Sequence, residues 1–307
     1  MTEFGVLLPS RSGAGPDLGF AHVAGLAAAA EASGFGSVWV RDPCPGMVHP
    51  EARERQLEAY TLLGALAART SRVHLGALVS DITCRHPSIL AKMVTTLDII
   101  AGGRAVLGLG SPPVTSHEVS EPDDPGDRYG MLDEAVQICR AMFAHDEVSF
   151  AGRHFELEHA RNLPRPPRPG GPRILIGGDE NRMLPLIARR ADLCSVTGDA
   201  GTVARTVGEL RRLCGEIGRD PAEVGVTWLA PCTLTSPEGP PGTDGARGTV
   251  DEPFDAAIGA IVGPTDRIAA AVDGHLATGV DGVIFSFESV DADTIGAVGT
   301  ALGLAAR

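Results

Sequence analysis

Several short apolar runs in this 307-residue chain end in residues that can do chemistry. Asp42 follows Ser37–Val40, Ser80 closes the run from Val73, Ser111 follows Ala105–Gly110, Gly177-Gly178 follows Arg173–Ile176, and Thr197 closes the run from Asp192. A carboxylate at a strand end either orients a bound molecule or caps a turn. A glycine pair before a helix leaves backbone N–H groups open to an anion, and it serves equally as a plain turn. His86, placed before Pro87 at a strand-to-helix junction, reads as a helix cap or as a proton-transfer group. His49, His117 and Glu118 lie in polar loops and are of types that exchange a proton near neutral pH.

Other chemistries lack local support. Gly108-Leu-Gly110 has no third glycine, Pro113 standing in its place, and the strand before it is the fourth, which argues against a dinucleotide fingerprint. There is no H-E-x-x-H, G-x-S-x-G or P-loop, and no metal site is expected. The loop HEVSEPDDPGD carries five acids and no base, which reads as a solvated segment.

The elements that must position these residues alternate. Arg72 to Gly110 reads as one β-α-β crossover: an apolar strand from Val73 to Ser80, a helix opened by Pro87 and closed by Gly102-Gly103, and a strand from Ala105 to Leu109. The pattern repeats along the chain. Strands are predicted at Phe4–Pro9, Ser37–Val40, Arg173–Ile176, Asp192–Thr197, Val224–Leu229 and Gly282–Phe287, with helices between, including Leu57–Arg69 and Met131–Ala144. Eight strands with intervening helices predict a (β/α)₈ TIM barrel, one domain over residues 1–307. Insertions interrupt it at about 145–172, a hairpin with a Pro-rich connector, and at about 236–253, followed by a short helical piece at Phe254–Ile261. In such a barrel the site lies at the carboxyl ends of the strands.

Composition agrees. A net charge of −13 argues against nucleic-acid binding. Aromatics are only 4% of the chain, so the core must be aliphatic. Lys92 is the only lysine beside 25 arginines, a GC-rich signature. Six scattered cysteines without a C-x-x-C pair read as reduced thiols. Neither a signal segment nor a membrane span is apparent, so a cytoplasmic protein without membrane contact is expected.

Taken together, EASGFGSVWVRD, EAYTLLGALAARTSRVHLGALV, RHPSILAKMVTTLDIIAGGRAVLGLG, FAGRHFEL and RILIGG resemble the bacterial-luciferase-like family of flavin- and deazaflavin-dependent oxidoreductases. The resemblance runs from Phe4 to about Phe287. It implies a barrel with insertions, a homodimer paired through the second and third helices, and a small-molecule substrate. The implied cofactor is the deazaflavin coenzyme F420, exchanging a hydride with that substrate. The alternative is FMN in a two-component monooxygenase served by a separate reductase, and a third reading is a non-catalytic flavin-binding or scaffold protein. By resemblance Asp42 lies near the ring, Val79 and Ser80 sit where relatives often carry a non-prolyl cis peptide behind it, Ser111 meets its pyrimidine edge, and Gly177, Gly178 and Thr197 hold the phosphate. His86, Glu118 and His49 are the catalytic candidates. Two departures stand out: Pro43 replaces a histidine found in many deazaflavin-dependent relatives, and Ser111-Pro112-Pro113 replaces a Gly- and Trp-containing segment.

Overall fold

The structure, a computed structural model, describes residues 3–9, 11–12, 19–42, 55–110, 125–177, 182–235, 260–287 and 290–304. In chain order the elements are β1 (Glu3–Leu8), β2 (Arg11–Ser12), α1 (Phe20–Ala32), β3 (Ser37–Val40), β4 (Arg55–Gln56), α2 (Ala59–Ala67), β5 (His74–Ala77), β6 (Ser80–Asp81), α3 (Pro87–Ile100), β7 (Ala105–Gly110) and α4 (Pro125–Ala144). They continue with β8 (Glu147–Ala151), β9 (Glu156–Arg161), β10 (Arg173–Gly177), α5 (Leu184–Arg190), β11 (Leu193–Val196), α6 (Ala200–Glu216), β12 (Gly225–Leu234), β13 (Ile261–Gly263), α7 (Thr265–Leu276), β14 (Gly282–Phe287) and α8 (Ala292–Ala301).

Strands β1, β3, β5, β7, β10, β11, β12 and β14 pair in parallel in that order, and β14 pairs β1, closing an eight-stranded barrel. Parallel strands need both faces covered, which explains why their residues are almost uniformly apolar. Alternation then sorts them into two layers. Val6, Val38, Leu75, Leu107, Ile176 and Phe285 pack outward under the helices, while Leu7, Trp39, Leu78, Val106, Leu175, Leu193 and Ile284 fill the interior. The closed eight-stranded barrel agrees with the fold read from the sequence.

The structure differs from the sequence reading in three local features. The run Val73–Ser80 is not one strand: it breaks at a cis Leu78–Val79 peptide bond and resumes as β6, which pairs Leu109 and Gly110 of β7. Residues 254–259 of the helical piece expected at Phe254–Ile261 lie outside the described residues, and Ile261 itself opens a strand. Ile261–Gly263 is a strand that extends the sheet beside Cys232–Leu234, so β12 runs five residues past its expected end at Leu229. Helix α4 begins at Pro125 rather than Met131, a proline being well suited to a first helical turn.

The expected hairpin is present. Strands β8 and β9 are antiparallel, and the turn between them is fastened to α4 by Glu134, whose carboxylate accepts the N–H groups of Arg153, His154 and Phe155 at 2.7–3.0 Å. The Pro-rich connector after it is held by Lys92 of α3, whose Nζ donates to the Leu163 carbonyl. No helix among the described residues is long and apolar enough to cross a membrane.

Candidate functional site

At the carboxyl end of the barrel one side chain tops the interior layer. Val79 follows the cis bond and packs on the interior cluster. It fits there because Gly110 and Gly177 beside it lack a Cβ, and Gly108 lets the strand before it approach closely. A methyl on Gly110 would stand 2.4 Å from Val79 Cγ2, one on Gly177 2.7 Å from Val79 Cγ1, and one on Gly108 1.9 Å from the Ala77 carbonyl oxygen. The Gly-Leu-Gly ending of β7 and the glycine closing β10 therefore make room for an apolar platform in the barrel mouth. One layer below, Trp39 lies over Gly76 in the same way. The cis bond falls one residue before the Val79–Ser80 position expected from the resemblance.

Beside this platform stands a polar cluster. Asp42 follows β3, and its carboxylate is only 1% exposed. Arg85, in the turn between β6 and α3, grips it with two hydrogen bonds, Nη1 to Oδ2 at 2.6 Å and Nη2 to Oδ1 at 3.0 Å. The same Nη2 donates to Glu58 Oε1 at 2.9 Å. Glu58 is fixed in turn as the N-cap of α2, accepting the N–H groups of Tyr60 and Thr61. Burial pushes the Asp42 carboxyl above its ordinary range, a tendency opposed by Arg85 and Ser80. Glu58 is also partly desolvated, but the N–H groups of Thr61 and Tyr60 and the Arg85 charge outweigh this and hold it low. Arg85 loses hydration too, yet Asp42 holds its proton more firmly than usual.

The direction of the remaining bonds follows. An ionised Asp42 only accepts, so Ser80, bonded to it, donates. Ser80 Oγ then accepts from the Tyr60 hydroxyl, 2.8 Å away. Tyr60 is buried, its phenol pushed up by desolvation and by Asp42, and it stays protonated. Its ring lies 5.5 Å from the Arg85 guanidinium carbon. On the other side of Ser80, Asp81 is 3.6 Å from Arg128 of α4 and accepts the N–H and hydroxyl of Thr83.

The expected site residues divide accordingly. Asp42, Val79, Ser80 and Gly177 come together at the barrel mouth. Ser80 is fully buried and Asp42 nearly so. Thr197 follows β11, but Asp199 caps α6 with its own carboxylate, occupying the Thr202 N–H. His86 caps α3 through Nδ1, which faces Ser88 N and Oγ, and its ring packs edge-on against Phe155. Of the two readings open to it, the structure displays the helix cap. His49, Glu118, Ser111 and Gly178 lie outside the described residues.

Sequence reasoning missed Arg85 and Tyr60. Arg85 lies between Ser80 and His86, in the loop that follows a strand end, but nothing local marks its partner 43 residues earlier. The expectation of reduced thiols is corrected at Cys84, which is disulfide-bonded. It lies in a turn, whereas the free Cys139, Cys194, Cys214 and Cys232 are buried. No cluster of metal-ligating side chains exists among the described residues. A cavity of about 460 Å³ lies at the opposite end of the barrel, near Arg173, Asp192 and Gly225. The Arg140–Asp192 ion pair crosses there, and that end of a barrel serves stability.

An apolar platform and a fixed ionic cluster at the strand ends of a closed (β/α)₈ barrel define the class of fold. The chain belongs to the luciferase-like monooxygenase family, whose model matches residues 2–238. It is 32% identical over 160 residues to an F420-dependent glucose-6-phosphate dehydrogenase of Kineococcus radiotolerans, covering 51% of this chain and 47% of that protein. It is 33% identical over 144 residues to the pyrimidine monooxygenase RutA of Stutzerimonas stutzeri, covering 45% and 39%. The chain thus spans about half the length of the curated relatives it matches, or less. Among solved structures, an F420-dependent secondary alcohol dehydrogenase bound to an F420-acetone adduct superposes with a TM-score of 0.82 over 99% of both chains at 18% identity, which speaks to the fold.

Proposed function

We propose that the protein is an oxidoreductase in which the deazaflavin coenzyme F420 exchanges a hydride with a small organic substrate. The observation that carries this reading is the mouth of the barrel, where Val79, seated among Gly108, Gly110 and Gly177, offers a flat apolar support beside the Asp42–Arg85–Glu58 cluster. These groups fit a ring with one apolar face and a polar edge. The coenzyme supplies the hydride chemistry, while the protein binds and orients the ring and keeps water away. Gly177, Gly178 and Thr197 are the proposed phosphate contacts, and Ser111 the proposed contact to the ring edge. With α3 capped by His86, the proton-transfer candidates that remain are His49 and Glu118.

The second reading is a two-component monooxygenase using reduced FMN delivered by a reductase. Similarity to RutA supports it at a level equal to the similarity supporting F420. Titration with FMN and with the deazaflavin, followed by fluorescence, separates the two. Micromolar binding of FMN alone defeats the first reading, and binding of neither points to a scaffold that has lost catalysis.

We further propose a homodimer in a cytoplasmic setting. Helix α3 leaves Ile89, Ile99 and Ile100 exposed on one element, with Leu163 of the tethered connector also exposed, whereas the leucines of α2 are buried in the chain's own core.

A further inference from the structure

Arg104 and Arg85 use their donors differently. Arg104 directs all five N–H groups at internal acceptors: Ala101 O, Thr70 Oγ1, Val73 O, Ala67 O and Thr70 O. It is a structural arginine. Arg85 directs three, one from Nη1 and two from Nη2, at Asp42 and Glu58. Its Nε–H and second Nη1–H have no acceptor among the described residues, and the side chain is 17% exposed at the barrel mouth. Two carboxylates hold it in place from behind and from one edge, and Tyr60 lies near one face. Such a guanidinium cannot swing to satisfy itself elsewhere.

The charge balance narrows what it meets. One cation faces two carboxylates, so the cluster carries a net negative charge, and a phosphate dianion brought against it would be repelled. A neutral carbonyl oxygen is not repelled. It accepts from the open N–H groups and gains from them most when negative charge develops on it.

Resting on the oxidoreductase reading, we propose that Arg85 is the residue that hydrogen-bonds a carbonyl oxygen at this site and stabilises the charge that reduction places there. Asp42 and Glu58 are positioning residues that aim it. Two sources share this chemistry, the carbonyl edge of the cofactor ring and a carbonyl of the substrate. In the second, hydride forms the new C–H bond, the C=O π pair moves onto oxygen, and solvent supplies the proton. Arg85 does not supply it, since a guanidinium keeps its proton at any working pH.

The test uses the full-length protein with whichever cofactor it binds, in oxidised and in chemically reduced form, and benzamide as a neutral carbonyl probe followed through the cofactor absorption band. Variants are Arg85→Lys, Arg85→Gln and the double Asp42→Asn/Arg85→Gln. The double variant keeps the experiment decisive if Arg85→Gln alone leaves Asp42 unpaired and unfolds, because removing both buried charges is better tolerated than removing one. The expected result is that loss of the guanidinium leaves oxidised-cofactor affinity within threefold of wild type. Either the preference for reduced over oxidised cofactor then falls at least tenfold, marking the ring carbonyl, or benzamide affinity does, marking a substrate carbonyl. Arg85→Lys should fall between, because a single ammonium does not reproduce the fork. Benzamide binding that does not depend on Arg85, or is absent in wild type, excludes the substrate source and leaves the ring arm to decide. A reduced-to-oxidised preference and benzamide binding both within threefold of wild type overturn the proposal, as does a parallel loss of all three affinities. If wild type binds neither cofactor, the oxidoreductase reading falls and takes the Arg85 proposal with it.

Discussion

Replacing Gly110 with alanine should displace Val79 and damage the barrel mouth. The added methyl would stand 2.4 Å from Val79 Cγ2, about 1 Å inside ordinary contact, and a methyl on Gly177 would press Cγ1 from the other strand at 2.7 Å. A valine has one stiff torsion and no far end to swing away, so the backbone must shift. Overpacking of this kind costs about 1–3 kcal/mol, or roughly 2–4 °C of melting temperature per kcal/mol in a domain of this size. Gly108→Ala is worse, because its methyl meets the Ala77 carbonyl oxygen at 1.9 Å and nothing flexible intervenes. A loss above about 4 kcal/mol is expected there. Thermal unfolding and cofactor titration are the assays. Gly110→Ala should lower both stability and affinity, and adding Val79→Ala should recover part of the stability, a coupling of at least about 1 kcal/mol between the two positions. An unchanged Gly110→Ala protein, or strictly additive effects in the double variant, would refute the idea that these glycines exist to seat Val79.

Three further outcomes are expected. Glu31 accepts the N–H groups of Ser71, Arg72 and Val73; partial burial raises its pKa, but these bonds outweigh that and hold it at about 2, against 4.5 ordinarily. Its folded-state value is depressed, so its contribution is present above pH 4.5 and lost as pH falls toward 2. After solvent screening that amounts to roughly 1–2 kcal/mol, and Glu31→Gln should remove this part of the acid dependence in denaturant titrations. Gly152→Ala should detach the β8–β9 turn from α4, since its methyl would meet Glu134 Oε2 at 2.3 Å, and limited proteolysis should then cut near residue 153 while wild type resists. Ile99→Glu/Ile100→Glu should yield a folded monomer by sedimentation if α3 forms the dimer contact, and an unchanged oligomeric state would remove that face from consideration.

The barrel was legible in the sequence because its signal is repeated: each short apolar run is bounded by turn residues and separated from the next by a helix. The break after Ala77 was not legible from the residues themselves, since Leu75–Val79 is an unbroken run without polar residues and nothing in its composition distinguishes a straight strand from one that leaves the sheet and returns; only the resemblance pointed to a cis bond nearby. Likewise nothing local showed that Gly110 and Gly177 leave room for Val79; that emerges only when β7 and β10 lie side by side with Val79 between them.

The site shows a limit of a different kind. A strand-end rule identifies which residues gather at the mouth, but not their depth. Asp42 and Ser80 are polar and close their strands, so each looks like a ligand contact; yet a carboxylate cannot be left alone beside the aliphatic interior, and its partner must come from elsewhere in the chain. Arg85 answers that need, and in doing so it becomes the group that faces outward. On the proposed role of Arg85, the polar residue at the strand end and the residue that meets the ligand are different residues joined by a salt bridge. The sequence has Pro43 where many relatives place a histidine, and among the described residues beside Asp42 the charged donor is the Arg85 guanidinium, held by Asp42 and Glu58. Chemistry that relies on it should therefore depend on charge stabilisation more than on proton donation from this wall of the barrel.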